Sequence, residues 1–493
     1  MSENQGNKGQ SDLSVGRQAI TGTAYAAMSG YFNQIFGFVT GIILARLLAP
    51  EHFGIVGLAT VIYYFISRIR LFGFNYILIS KNNPEPNLIA THFWLQTGLT
   101  AITVGVTFIL QPVLLHLYNR QVVTVLLVIA VLSLFDVDGM AGTAYALITK
   151  ELEFKQLSAI DVFIRISSPL IAIFLAYNGF GIWALVAKQG WETLMYFLLY
   201  WYMSPWKPWF LSGFTPYIAR NFWKEGKHLW FSGFSTLIVF TYDDFLVGSW
   251  HSTQTLGYYN RAYNLAKLPM SFVEKIILVA YPTFAKVRYD PKKLSLVFNM
   301  VFSVITLVAL PASVGLALVA PELVPWLLGE QWLPAVPLLR LLVVYSILRP
   351  VFDIAMRVPM ALEEPDILSK VAVVQVILML GLCTSLTYYF GAVGAAISAD
   401  VVVLIGLVVV FRFYLHTKVE INYWEMMIIP LIRVGLAVAG VSVFVMIQPI
   451  DNLIARLVVK SVVFGLIYLS ILLLFERQKL WQKFKFIQGI LTK

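Results

Sequence analysis

Residues 371–399 read VAVVQVILMLGLCTSLTYYFGAVGAAISA, without one Asp, Glu, Lys or Arg. Phe93–Asn119, Ile166–Ala187 and Val301–Pro321 are equally free of charge. About 20 apolar residues in a helix cross about 30 Å of hydrocarbon. Each stretch is long enough to do so, and the dyad alternation of a membrane β-barrel is absent. The whole chain agrees: of 493 residues, 59% are hydrophobic and 13% charged, against about 25% charged in soluble domains, and mean hydropathy is +0.77. Soluble cores stop growing near 250–300 residues, so a soluble fold could not hide this much apolar surface. The fold class is therefore an all-α polytopic membrane protein.

Working outward, apolar stretches predict about fourteen transmembrane helices, near 19–47, 52–80, 88–115, 121–148, 157–177, 180–203, 228–249, 256–285, 295–320, 334–357, 367–390, 392–415, 424–447 and 453–475. Lys and Arg fall in alternate loops: Lys81; Lys150 and Lys155; Lys207, Arg220, Lys224 and Lys227; Lys286, Arg288, Lys292 and Lys293; Lys370; Arg412 and Lys418. The intervening loops have almost none. This positive-inside bias predicts an even number of spans with both termini cytoplasmic. Most of the formal net charge of +10 then encodes orientation. The polar start, Met1–Gly16, has no signal-peptide core.

Six domains follow: a cytoplasmic tail (1–18), an N-terminal six-helix bundle (19–203), a cytoplasmic linker (204–227), a C-terminal six-helix bundle (228–415), two additional helices (416–475) and a basic tail (476–493). Trp206, Trp209, Trp223 and Trp230 suit the headgroup level. The tail reads as a basic amphipathic helix on anionic lipid. Residues 47–54 and 250–257 are placed alike, 203 residues apart, each ending in a hydrophobic residue and Gly. Two pseudo-symmetric bundles of the same orientation would follow, a transporter signature with the substrate between the halves.

One cysteine, Cys383, excludes a disulfide or a cysteine-ligated metal centre. The six histidines have no metal-ligand spacing, and there is no phosphate-loop motif. No catalytic constellation, metal site, cofactor or nucleic-acid partner is expected.

Charges inside spans are costly and mark pathways or ion relays. Asp161/Arg165, Lys188/Glu192 and Arg349/Asp353 stand four residues apart, so each can pair along its own helix. Arg68, Arg70 and Arg357 lie where they can snorkel to the surface. Arg46, Arg261, Lys267 and Arg340 have no partner on their own helix and suit an anionic substrate such as a pyrophosphate. Arg165 and Lys188 join them as candidate substrate contacts. Asp243, Asp244, Asp136 and Asp138 are the candidate carriers of a coupling proton or Na⁺.

Three segments carry a family resemblance: Ile42–Ile55 (IILARLLAPEHFGI), 256–284 from LGYYNRAYNLAKLP to YPTF, and Pro321–Trp332 (PELVPWLLGEQW). They resemble polysaccharide flippases of the MOP superfamily, of the lipopolysaccharide or colanic-acid exporter type. The resemblance implies a V-shaped pair of six-helix bundles in a bacterial inner membrane. It implies ion-coupled alternating access that moves undecaprenyl-pyrophosphate-linked oligosaccharide for surface polysaccharide export, with cavity cations, Arg46 and Arg261 by position, meeting the pyrophosphate. Partners would be the lipid-linked oligosaccharide, membrane lipids, and a polysaccharide polymerase with chain-length and export proteins. Two alternatives stand beside it. A cation-coupled drug antiporter would want an acidic cavity. An oligosaccharide polymerase or ligase would want a larger outer loop than 321–334.

Overall fold

A computed structural model describes residues 30, 32–151, 154–208, 213–448 and 450–491. The expected tail 1–18, the start of the first span and Trp209 lie outside them. The chain divides into two compact units, Met1–Leu237 and Ile238–Lys493, and the described residues contain no strand.

In the first unit, α1 (Phe32–Leu47) turns through 120° into α2 (Pro50–Ser67). Ala49 is extended (φ −67°, ψ 151°), and Pro50 opens α2, where its fixed φ and missing N–H cost nothing. Beyond Ser67 the chain leaves the helix and resumes as α3 (Phe74–Ser80). Next come α4 (Pro86–Ile109), bent by 51° into α5 (Gln111–Leu117), and α6 (Arg120–Leu132), whose Asn119 cap accepts from the Val122 N–H at 2.9 Å. A 3₁₀ turn (Ser133–Phe135) and a loop separate α6 from α7 (Gly142–Lys150). The hairpin of α8 (Phe154–Tyr177) and α9 (Ile182–Met203) follows. The stretch expected as a linker, 204–227, is helical from Pro216, the start of α10 (Pro216–Trp250).

The second unit begins inside α10. Ser252 caps α11 (Thr253–Ala266) by accepting from the Thr255 N–H. Short α12 (Leu268–Ser271) leads to α13 (Glu274–Val287). Asp290 caps α14 (Pro291–Leu328). The outer loop expected at 321–334 is thus helical as far as Leu328. Then come α15 (Ala335–Ala355), α16 (Arg357–Ala361), α17 (Asp366–Leu378), α18 (Thr384–Val410), α19 (His416–Lys418), α20 (Ile429–Ile447) and α21 (Leu453–Leu491). The last runs unbroken from the final expected span into the tail. Leu310, Val434, Ala437, Val441 and Phe464 form a core joining α14, α20 and α21.

By length and apolar composition, six of these helices can cross a membrane, or eight if each bent pair is one span. The fourteen expected spans differ from these helices at identifiable places. The stretches 52–80, 121–148 and 256–285 are each broken, at Arg68–Gly73, Ser133–Ala141 and Lys267–Val273. Two other expected spans lie in one run, Asp366–Lys418.

The 203-residue offset returns in the backbone. Leu47 and Trp250 end a helix, and Pro50 and Thr253 start the next. A second correspondence emerges at two later turns. Gly181 (φ 56°, ψ −125°) precedes α9, and Gly391 (φ 62°, ψ −140°) divides α18 into two helices. A Cβ on Gly181 would sit 3.4 Å from the His52 ring, and one on Gly391 3.4 Å from the His251 ring. His251 Nε2 donates to the Thr387 carbonyl at 2.8 Å. Side chains are excluded from this region of φ/ψ, so Gly391→Ala should cost about 1–3 kcal/mol. Thermal unfolding in detergent measures it, and an unchanged midpoint would contradict it.

Candidate functional site

In the first unit the broken helices bring charges together. Since α2 stops at Ser67, Arg70 folds inward instead of continuing along a helix face. Its guanidinium donates to both Asp136 oxygens (2.7 and 3.1 Å), to Thr100 Oγ1 (3.0 Å) and, at 3.4 Å, to the Ser133 carbonyl. Arg70 is 5% exposed, so the expectation that it snorkels is corrected: it is a buried, bidentate ion-pair partner. Asp136 also accepts from the Asp138 N–H at 2.9 Å. Asp138 lies in the field of Asp136, Arg70 and Arg68. Arg68 is likewise held in the protein, donating to the Trp230 carbonyl at 2.8 Å while Trp230 Nε1 donates back to the Arg68 carbonyl at 2.7 Å.

The helical pairs form as their spacing predicts. Arg165 meets Asp161 at 3.1 Å, Lys188 meets Glu192 at 2.7 Å, and in the second unit Arg349 meets Asp353 at 2.9 Å. Asp161 also accepts from Asn33 Nδ2 at 2.7 Å and from the Tyr196 hydroxyl. Glu192 also accepts from Ser168 at 2.7 Å. Arg46 is exposed near the end of α1.

In the second unit α11 sorts the candidates by face. Residues 259, 263 and 267 recur every fourth position on one side, while residue 261 lies about 200° around from 259. On the first face the Tyr259 hydroxyl donates to buried Asp243 at 2.6 Å, and the Lys267 ammonium stands 4.1 Å over the Tyr263 ring, a favourable cation–π distance. Lys267 also feels Asp244 and Asp243. A residue chosen for substrate and two chosen for an ion therefore share one electrostatic neighbourhood. On the other face Arg261 lies 5.8 Å from the centre of the Trp332 ring, and Tyr258 meets that ring edge-on. Arg340 is exposed on α15, its Nε donating to the Ala317 carbonyl at 3.2 Å.

Two buried acids escaped the sequence reading. Asp400 on α18 is 9% exposed, and its Oδ1 has no hydrogen-bond partner among the described residues. Glu322, placed in an expected loop, sits in α14 with a 3% exposed side chain, 2.7 Å from Lys460 and 4.0 Å from Arg456 of α21. A usable signal existed: Asp400 is the residue that ends the charge-free run 371–399.

With this geometry in place, comparison with known proteins is informative. A family model described as "Polysaccharide biosynthesis protein" matches residues 43–337. The chain belongs to this family. The matched region contains the segments 256–284 and 321–332 and all but the first residue of Ile42–Ile55, so the resemblance drawn from them is borne out. The chain is 26% identical over 420 residues to "Lipopolysaccharide biosynthesis protein WzxC" of Escherichia coli (strain K12), covering 80% of each chain. It is 25% identical over 343 residues to "Teichuronic acid biosynthesis protein TuaB" of Bacillus subtilis (strain 168), covering 68% of this chain and 70% of that one. In fold it is similar to "Lipid II flippase MurJ, inward closed conformation", with a TM-score of 0.73 at 14% identity, covering 92% of this chain and 99% of that one. The chain is thus a multi-span helical membrane protein of polysaccharide biosynthesis.

Proposed function

We propose that this chain is a flippase that moves undecaprenyl-pyrophosphate-linked oligosaccharide units from the inner to the outer leaflet of a bacterial inner membrane, with both termini in the cytoplasm. The observation that carries the reading is the family match over residues 43–337, on an all-helical chain that divides into two compact units. WzxC and TuaB are named for the biosynthesis of two different surface polymers, which suits a shared transport step better than a shared polymerisation chemistry. We assign 19–203 and 228–415 to two six-helix bundles, within fourteen spans in all, with 416–475 appended.

In this reading Arg261 and Arg340 of the second unit replace water around the pyrophosphate as it leaves the headgroup region, Arg46 is a phosphate contact of the first unit, and the polyprenyl tail stays in lipid. A planar guanidinium grips phosphate oxygens in pairs, which an ammonium cannot do. Rocking of the bundles then opens the site outward. Exchange of a proton or Na⁺ supplies the drive, with Asp243 and Asp244 as its carriers, because Lys267 in their field couples their charge state to a nearby cation.

The test is complementation of a bacterial strain lacking its own polysaccharide flippase. The parent chain should restore surface polymer, Arg261→Ala should lower it at least tenfold at equal protein level, and Arg261→Lys should restore part. Full export by Arg261→Ala would count against the pyrophosphate role. Failure of the parent to complement with any repeat unit, at normal membrane level, would count against the flippase.

A further inference from the structure

The pairs on α8 and α9 are poor pyrophosphate contacts, and their geometry suggests another ligand. Arg165 and Asp161 compensate each other, as do Lys188 and Glu192, so the cluster has no net charge to offer a dianion. It is nevertheless open: the Arg165 side chain is 54% exposed, and those of Asp161, Lys188 and Glu192 are 29–33% exposed. Arg165 lies at the middle of Phe154–Tyr177 and Glu192 at the middle of Ile182–Met203. Charges left open to hydrocarbon at that depth cost several kcal/mol, so this face of the first unit meets water or a polar ligand.

The hydrogen-bonding inventory is mixed. Carboxylates accept, while guanidinium, ammonium, amide and phenol groups donate. Trp191 stands beside Glu192, its ring held by a 2.9 Å bond from Nε1 to Ser167. Within α8, Pro169 cannot donate to the Arg165 carbonyl, which frees one more acceptor from the helical ladder. Acceptors and donors side by side, a fixed aromatic ring and zero net charge match vicinal sugar hydroxyls, which both donate and accept. They do not match phosphate, which only accepts and would be repelled by both carboxylates.

We infer that Asn33, Asp161, Arg165, Lys188, Glu192 and Tyr196, with Trp191, form the saccharide-reading subsite of the first unit, which selects among repeat units by hydroxyl pattern. This rests on the flippase reading above and moves Arg165 and Lys188 from pyrophosphate to sugar. A site built to bond a hydroxyl rejects a ligand that lacks or misplaces it far more strongly than an apolar pocket can, so the subsite supplies discrimination, while the arginines elsewhere supply the charge-based grip.

The experiment uses the full chain in lipid nanodiscs and two kinds of probe: bare undecaprenyl pyrophosphate, and the same lipid carrying glucose, galactose or N-acetylglucosamine. The parent should bind at least one glycosylated probe about tenfold tighter than the bare lipid. Tyr196→Phe, which removes a single oxygen, and Asn33→Ala should compress that ratio to within threefold and leave the bare-lipid affinity unchanged. The glycosylated probe should also quench or shift tryptophan fluorescence in the parent and not in Trp191→Phe. If both variants fold and keep the parent ratio, or if the parent shows no preference for any sugar, the subsite is overturned. If the parent does not bind even the bare lipid, the flippase reading falls as well.

Discussion

Arg70→Met is expected to destabilise the protein by about 3–5 kcal/mol, the range for breaking a buried ion pair from one side. The methionine can fill the space, yet it leaves Asp136, beside Asp138, without its ion-pair partner and strips donors from Thr100 and the Ser133 carbonyl. Arg70 holds the break after α2 against the break after α6, so its loss loosens two chain reversals at once. Arg70→Lys keeps the charge and loses the two-pronged contact, and should fall between. Pairing Arg70→Met with Asp136→Asn, which retains an acceptor for the Asp138 N–H, should recover more than half of the loss, because the uncompensated carboxylate is gone. Thermal unfolding in detergent, followed by size-exclusion profile, measures all four proteins. An Arg70→Met midpoint equal to the parent's would show that the pair holds nothing in place.

The second large effect is expected at Lys460→Met, at about 3 kcal/mol by the same asymmetry. Glu322 is almost fully enclosed, and Lys460 is its 2.7 Å partner, with Arg456 more distant at 4.0 Å. The consequence should be local. α20 and α21 should become sensitive to protease before the rest of the second unit, since the remaining attachment to α14 is an apolar core and one 3.2 Å hydrogen bond from the Tyr468 hydroxyl to the Leu307 carbonyl. Combining Lys460→Met with Glu322→Gln should restore resistance. Uniform digestion across the unit would show instead that α21 does not depend on this bond.

These two pairs also mark the limit of what the sequence discloses. Spans could be read because charge-free runs leave a chain no soluble option. Pairs four residues apart could be read because one helix turn fixes their distance, and Asp161/Arg165, Lys188/Glu192 and Arg349/Asp353 all meet. The Arg70–Asp136 bond joins residues 66 apart through two helix breaks; each break carries two charges inside an otherwise apolar stretch, so hydropathy averaged over a span registers neither. Glu322 was lost for a related reason: Pro321 and Pro325 suggest a loop, yet α14 accommodates both. Of the site, the identities of the charged residues were legible, and their grouping was not. Arg261 and Lys267 seemed equivalent cations until the helical turn placed one beside Trp332 and the other over Tyr263.

The paired turns at Gly181 and Gly391, each against a histidine from an earlier helix junction, have a historical meaning. A half-chain that had been duplicated would keep its joints and change its interior. Here the joints match, while the first unit holds balanced carboxylate–cation pairs and the second a Tyr259–Asp243 bond. Swapping interior residues between the halves should be far better tolerated than moving either joint by a single residue.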